Sequence, residues 1–269
     1  MTPVPYDELK LLRQEGKLIP FIGAGLSINL GLPSFSGLID QIAEELGYDP
    51  KVYKLSGNNL QLAEYYVAIK GSIGPLRSIM DRDFNPSNNH IKSSVAHTAL
   101  AELGFPLIYT TNYDDIIERS FKLWKKPVFT VANIDNIAMA PANATQVVKF
   151  HGAFSDDSSL VLTESSYFER LAFESALDIK LRADMLGKCL LFIGYSLDDV
   201  NVRYMLYKLF KLRQLIKTDA NKRIPSAYLT TFGSNEIQKT LLAHWNVTII
   251  ELDPADKKTS IENFLKGLQ

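Results

Sequence analysis

The segment Gly23-Ala24-Gly25-Leu26-Ser27 directly follows the apolar run Leu18-Ile19-Pro20-Phe21-Ile22 and has the makings of a phosphate loop. Its glycines allow a tight turn and a close approach of backbone to ligand. A helix starting there directs free N–H groups at an anion, and Ser27 adds a hydroxyl. Polar clusters follow other apolar runs as Thr110-Thr111-Asn112-Tyr113-Asp114-Asp115, Phe150-His151-Gly152 and Gly194-Tyr195-Ser196-Leu197-Asp198-Asp199. An asparagine can both donate to and accept from a sugar hydroxyl, and a carboxylate suits a cationic group. An unperturbed histidine titrates at about 6.5 and can take a proton near neutrality. Singly, each cluster has an ordinary use: Asp114 or Asp199 as a helix cap, Asn112 in an Asx turn, His151 in a satisfied turn. Gathered at the ends of successive strands, they read as one nucleotide site.

The elements that must position them are short apolar strands alternating with amphipathic helical stretches. Strands are expected at 18–22, 106–109, 128–131, 147–150, 189–193, 227–231 and 247–251. Most are continuously apolar, as in strands covered on both faces. Val202, Met205, Leu206, Leu209 and Leu212 form a helical stripe between two of them. The fold class is therefore α/β, a Rossmann-like doubly wound, mostly parallel sheet in a single domain spanning 1–269. Residues 35–103 show no strand pattern and are expected to form an inserted small helical subdomain. The glycine loop lacks the Gly-Lys-Ser/Thr of a Walker loop. It is also a poor dehydrogenase fingerprint: Ile28 replaces the third glycine, and the expected acidic residue would fall in a helical stretch.

Composition narrows the function classes. The net charge of −1 over 269 residues gives no general attraction to nucleic acid or membrane. The basic stretch Lys208, Lys211, Arg213, Lys217, Lys222 and Arg223 is expected to be a solvated helix face and loop. The one cysteine, Cys189, excludes a disulfide framework and supplies no cysteine cluster for zinc, so no metal is expected. The polar N-terminus is unlike a signal peptide, and no apolar run approaches the roughly 20 residues of a membrane span. These features suit a cytoplasmic protein. His97, in a helical pattern, is expected to be structural, and Cys189 and Trp245 to be packing residues.

The quoted motifs, GAGLSINLGLPSF at 23–35, TTNYD at 110–114, HG at 151–152 and GYSL at 194–197, occur together in the order found in sirtuins, and the sequence resembles that family. It departs from the deacylases in several places. No four-cysteine zinc module exists, Phe35-Ser36 stands where those enzymes carry an aromatic–arginine pair, and Thr111 replaces the glutamine before the asparagine. GYSLDDVN is similar to the bacterial sirtuin-like domains of antiphage defence systems, which hydrolyse NAD. The resemblance implies Asn112 and His151 as catalytic residues. It implies NAD contacts from Gly23, Ala24, Gly25, Ser27, Phe35, Asp114, Gly194 and Ser196. Asp114 would meet the nicotinamide carboxamide, and Phe35 would shield the reacting carbon. Whether His151 acts as base or orienting group stays open. The alternatives are a deacylase or ADP-ribosyltransferase on the same pocket, and a silent NAD or ADP-ribose sensor. The resemblance also implies a homo-oligomer or a separate defence partner that restrains or triggers the activity.

Overall fold

The computed structural model describes residues 4–28, 30–172, 174–196, 200–215 and 225–269. All seven expected strands form: β1 (Leu18–Ile22), β2 (Leu107–Thr110), β3 (Val128–Val131), β4 (Thr145–Lys149), β5 (Cys189–Ile193), β6 (Ala227–Thr231) and β7 (Val247–Glu251). They pair in parallel in the order β3-β4-β2-β1-β5-β6-β7. β4 starts earlier than its apolar run, because Thr145 and Gln146 pair with Val128 and Phe129 of β3. It also ends earlier, because Phe150 and His151 turn out of the sheet.

The central strands β1 and β5 are apolar and buried on both faces because both are covered. Leu18, Ile22, Cys189, Leu191 and Ile193 face one layer, packed by the helices Tyr6–Gln14, Val95–Leu103, Ile116–Leu123 and Lys257–Gly267. Ile19, Phe21, Leu190 and Phe192 face the other, packed by Ala176–Asp184, Val200–Gln214 and Glu236–His244. The stripe Val202, Met205, Leu206 and Leu209 is buried there. Arg213 on the same helix corrects the reading of that stretch as solvated. It is buried, and its Nη1 donates to the Pro225 carbonyl at 2.6 Å. Lys217, Lys222 and Arg223 lie outside the described residues.

Between β1 and β2 the described chain from Phe35 onward is wholly helical. Helices Phe35–Glu45, Pro50–Lys54, Asn59–Lys70 and Gly74–Asp83 share a core of Leu38, Ile39, Ile42, Tyr53, Leu62 and Tyr66 with Leu160 and Leu162. Ser34 and Asn58 start two of these helices with side-chain caps. The helix Val95–Leu103 instead lies on the sheet. His97 is fully buried there with its Nδ1 2.8 Å from Ser94 Oγ, and burial lowers its pKa to about 4. No helix among the described residues is long and apolar enough to cross a membrane.

Candidate active site

Because every strand is parallel, all the polar clusters leave the sheet on one edge. The strand order reverses beside β1, whose chain continues to β2 on one side while β5 pairs on the other. Ligands of open α/β sheets bind at such a switch point. The loops after β1 and β5 meet there in backbone contact. Gly194 has φ +81, and a Cβ on it would lie 2.8 Å from Leu26 N and 3.0 Å from Gly23 O. Gly23 N–H donates to Ile193 O at 2.8 Å, and Gly25 N–H to Gly194 O at 3.0 Å. These N–H groups are therefore committed to β5 and do not face an anion. Ala24, at the exposed tip, has no such partner among the described residues.

Asn112 sits one loop over, after β2. Its side chain is buried, and its Nδ2 donates to Ser27 Oγ at 3.1 Å and weakly to Gly23 O at 3.4 Å. Its backbone N–H is held by Thr110 Oγ1 at 3.0 Å. Its Oδ1 is buried with no partner among the described residues. An uncompensated buried acceptor is costly, so a donor from a ligand fits this position. Asp114 Oδ1 accepts from Ile116 N–H at 3.1 Å, and its carboxyl is almost wholly buried. Burial pushes its pKa up to about 6, against the opposing pull of the Lys149 ammonium and the Ile116 N–H.

His151 follows β4. Gly152, at φ +89, makes the turn behind it; a Cβ there would collide with the Ser159 carbonyl, 2.1 Å away. Val161 N–H donates to His151 O at 3.0 Å, fixing the ring's base. The imidazole stands edge-on to Tyr167, with centroids 5.2 Å apart. Burial, helped by the nearby Arg170 guanidinium, lowers its pKa to about 3. The ring is therefore neutral at physiological pH and can accept a hydrogen bond, but it is a poor store for a proton.

These residues share a cavity of about 970 Å³. Ala24, Gly25, Ser27, Phe35, Asn112, Asp114, His151, Gly194 and Ser196 line it, and Gly23 is not among the lining residues. Its size and mixed lining suit a dinucleotide-sized ligand. Leu197, Asp198 and Asp199 lie outside the described residues. The sequence reading missed Tyr195. Its hydroxyl donates to Ile22 O at 3.0 Å and receives Thr111 Oγ1 at 2.9 Å, so Thr111 braces the β5 loop. It also missed the far wall, Thr231, Phe232, Ser234, Asn235 and Gln238 after β6, and the apolar wall of Leu38, Met80 and Phe84. The polar run Gly233-Ser234-Asn235 at a strand end was the available signal for the first of these.

A domain model described as "SIR2-like domain" matches residues 106–250, more than half of the chain and three of the four site loops. The chain belongs to the SIR2-like family. Within it, the chain is 34% identical over 197 residues to the NAD(+) hydrolase ThsA of Enterococcus faecium, covering 72% of this chain and 40% of that protein. It is 30% identical over 203 residues to the NAD(+) hydrolase ThsA of Bacillus cereus (strain MSX-D12), covering 74% and 41%. It is 26% identical over 212 residues to the Defense-associated sirtuin 2 of Bacillus subtilis, covering 75% and 20%. This SIR2-like chain thus spans about 40% of the length of the hydrolases it matches.

Proposed function

We propose that the chain hydrolyses NAD at the nicotinamide–ribose bond and serves as an NAD-depleting effector of antiphage defence. The observation that carries this reading is the buried Asn112 Oδ1, which has no donor among the described residues in a cavity shared with Asp114 and His151. The names of the relatives support it. In the reaction the C1′–N bond breaks and its electron pair leaves with nicotinamide. Water adds to the oxocarbenium-like carbon and loses a proton to solvent, giving ADP-ribose. Asn112 Oδ1 accepts a ribose hydroxyl and fixes the sugar. The Asp114 carboxylate faces the nicotinamide end. The neutral His151 accepts from a ribose hydroxyl or from the attacking water, which favours an orienting role. Ala24, Ser27, Gly194 and Ser196 surround the diphosphate, and Phe35 screens the reacting carbon from bulk water.

The test is purified protein incubated with NAD, with and without an acetylated peptide, followed by chromatography. Nicotinamide with ADP-ribose is the expected outcome. Acetyl-ADP-ribose would show a deacylase, and intact but bound NAD would show a sensor.

Asp114 gives this reading a pH signature. A cationic nicotinamide favours the ionised carboxylate, so binding lowers a pKa that starts near 6. NAD affinity should rise between about pH 5 and 7 and then level off, by up to about tenfold per unit on the rising limb. Asp114→Asn should weaken binding and flatten the limb. ADP-ribose, which lacks the cation, should show no limb. His151, neutral across this range, should add nothing near 6.5. Titration calorimetry of both nucleotides against pH checks these expectations, and an NAD limb that persists in Asp114→Asn would exclude the assignment.

The reaction as written uses no metal, and no group of three or more His, Cys, Asp or Glu suited to a metal ion occurs among the described residues. Prolonged chelation should therefore leave both Tm and NAD turnover unchanged. Loss of either, restored by zinc, would overturn this. An NAD-destroying enzyme must be restrained in its own cell, and we assign that restraint to assembly with further copies or with a defence partner. Turnover per subunit should then rise with protein concentration alongside light scattering.

A further inference from the structure

Lys149 is the last residue of β4, two positions before His151, and its side chain is 1% exposed. A lysine is seldom so deeply buried without a reason. Its Nζ donates to the main-chain carbonyl of Asp114 and lies 3.2 Å from Glu118 Oε1. Glu118, on the helix Ile116–Leu123, is 3% exposed and also receives Thr130 Oγ1 at 3.4 Å. One buried cation therefore ties the loop of Asn112, Tyr113 and Asp114 to the strand that presents His151. The charges facing the Asp114 carboxylate are Lys149 from β4, Glu118 from the following helix and Asp115 from its own loop. Lys149 and Glu118 neutralise each other. Asp114 is left as the uncompensated negative charge of the buried cluster, and it lines the cavity.

We propose that Lys149 is a positioning residue that, paired with Glu118 behind the cavity, clamps the Asp114 main chain and so sets the Asp114 carboxylate against the cationic end of the substrate. The assignment of that end rests on the reading of the site as an NAD hydrolase. The rest of the argument is geometric. A carboxylate in a loop finds its target only if the loop is fixed, and among the described residues the Lys149 ammonium is the side-chain group that holds the Asp114 carbonyl. It also favours the ionised form of Asp114, whereas Glu118 opposes it.

A purely structural pair and a positioning pair behave differently when both charges are removed. Breaking a buried ion pair by removing one partner strands the other charge, whereas neutralising both often restores stability. Lys149→Met alone is expected to lower Tm severely. Lys149→Met with Glu118→Gln should recover a Tm near that of the parent chain. In that folded double variant, NAD binding by calorimetry should weaken about tenfold, the scale of losing a charged hydrogen bond that orders the site. ADP-ribose should bind within about twofold of the parent, because it lacks the group that Asp114 meets. Carboxyl-carbon NMR, with the Asp114 resonance assigned through Asp114→Asn, should show the Asp114 midpoint moved upward.

A double variant that binds both nucleotides like the parent, with an unmoved Asp114 midpoint, overturns the proposal while leaving NAD hydrolysis standing. Equal loss of both nucleotides overturns it in favour of a collapsed cavity. A parent chain that binds no NAD, with the Asp114 midpoint still rising in the double variant, upholds the clamp and removes the substrate assignment instead.

Discussion

Asn112→Ala is expected to lower NAD turnover by about a thousandfold, the scale seen when one preorganised polar group is removed from a reacting centre. The amide does two jobs at once. Its Nδ2 donates to Ser27 Oγ, which orients the group, and this leaves Oδ1 buried in the cavity wall with no partner among the described residues. Truncation removes the acceptor for the ribose hydroxyl and releases Ser27 from its place in the β1 loop. The stability cost should be modest, because among the described residues the deleted group forms one bond, to Ser27, and a weak contact to Gly23 O. The loop is separately held by Thr110 Oγ1 and Ile116 N–H. His151→Ala should show a comparable loss, through a different defect: the neutral acceptor goes, and the edge of Tyr167 loses its partner. Nicotinamide release, followed by chromatography on variants shown to be folded by circular dichroism, measures both. Near-normal turnover in a folded Asn112→Ala protein would remove this residue from the mechanism.

Gly194→Ala should cost about 3 kcal/mol of stability, combining a left-handed backbone that disfavours any Cβ with overpacking against fixed neighbours. The neighbours are main-chain atoms, Leu26 N at 2.8 Å, Gly23 O at 3.0 Å and Gly25 Cα at 3.1 Å, and they cannot rotate away. A chain of 269 residues should lose roughly 5 °C in Tm from such a change. The damage should also be local. Relief of the contact pushes the β1 and β5 loops apart, breaks the Gly25-to-Gly194 hydrogen bond and widens the switch point that lines the cavity. Nucleotide binding should therefore fall even in the folded fraction. Gly74→Ala is the control: its nearest neighbour is the Ser72 hydroxyl at 3.5 Å, so it should be close to neutral. Denaturant unfolding with nucleotide titration separates the two effects. Gly194→Ala with parental stability would mean that the two loops do not need this contact.

The sequence by itself determined that the strands form, because most rest on a short apolar run, and in the central β1 and β5 that run is buried throughout. It determined the α/β alternation and the helical stretch after β1, since helical and strand periodicities differ within a few residues. It determined that the loops after β1, β2, β4 and β5 share one edge, because parallel strands deliver every following loop there, but not the walls that Tyr195, Phe232 and Met80 add to the cavity. The pairings of the loop residues it could not determine. The glycines after β1 read as a phosphate cradle, yet Gly23 and Gly25 spend their N–H groups on the carbonyls of Ile193 and Gly194, at the end of β5 and just after it, about 170 residues distant in the chain. Thr111 reads as a lost glutamine, and only the fold sets its hydroxyl on Tyr195. His151 reads as a group titrating near neutrality, and only burial, with the Arg170 charge nearby, lowers its pKa to about 3. Lys149 carries no signal of its own in the sequence, and only the neighbouring helix and loop make it a buried ion-paired residue. The physical reason is the same each time: pattern is set by the nearest residues in the chain, whereas hydrogen-bond commitment and desolvation are set by atoms that only the packed structure brings within reach.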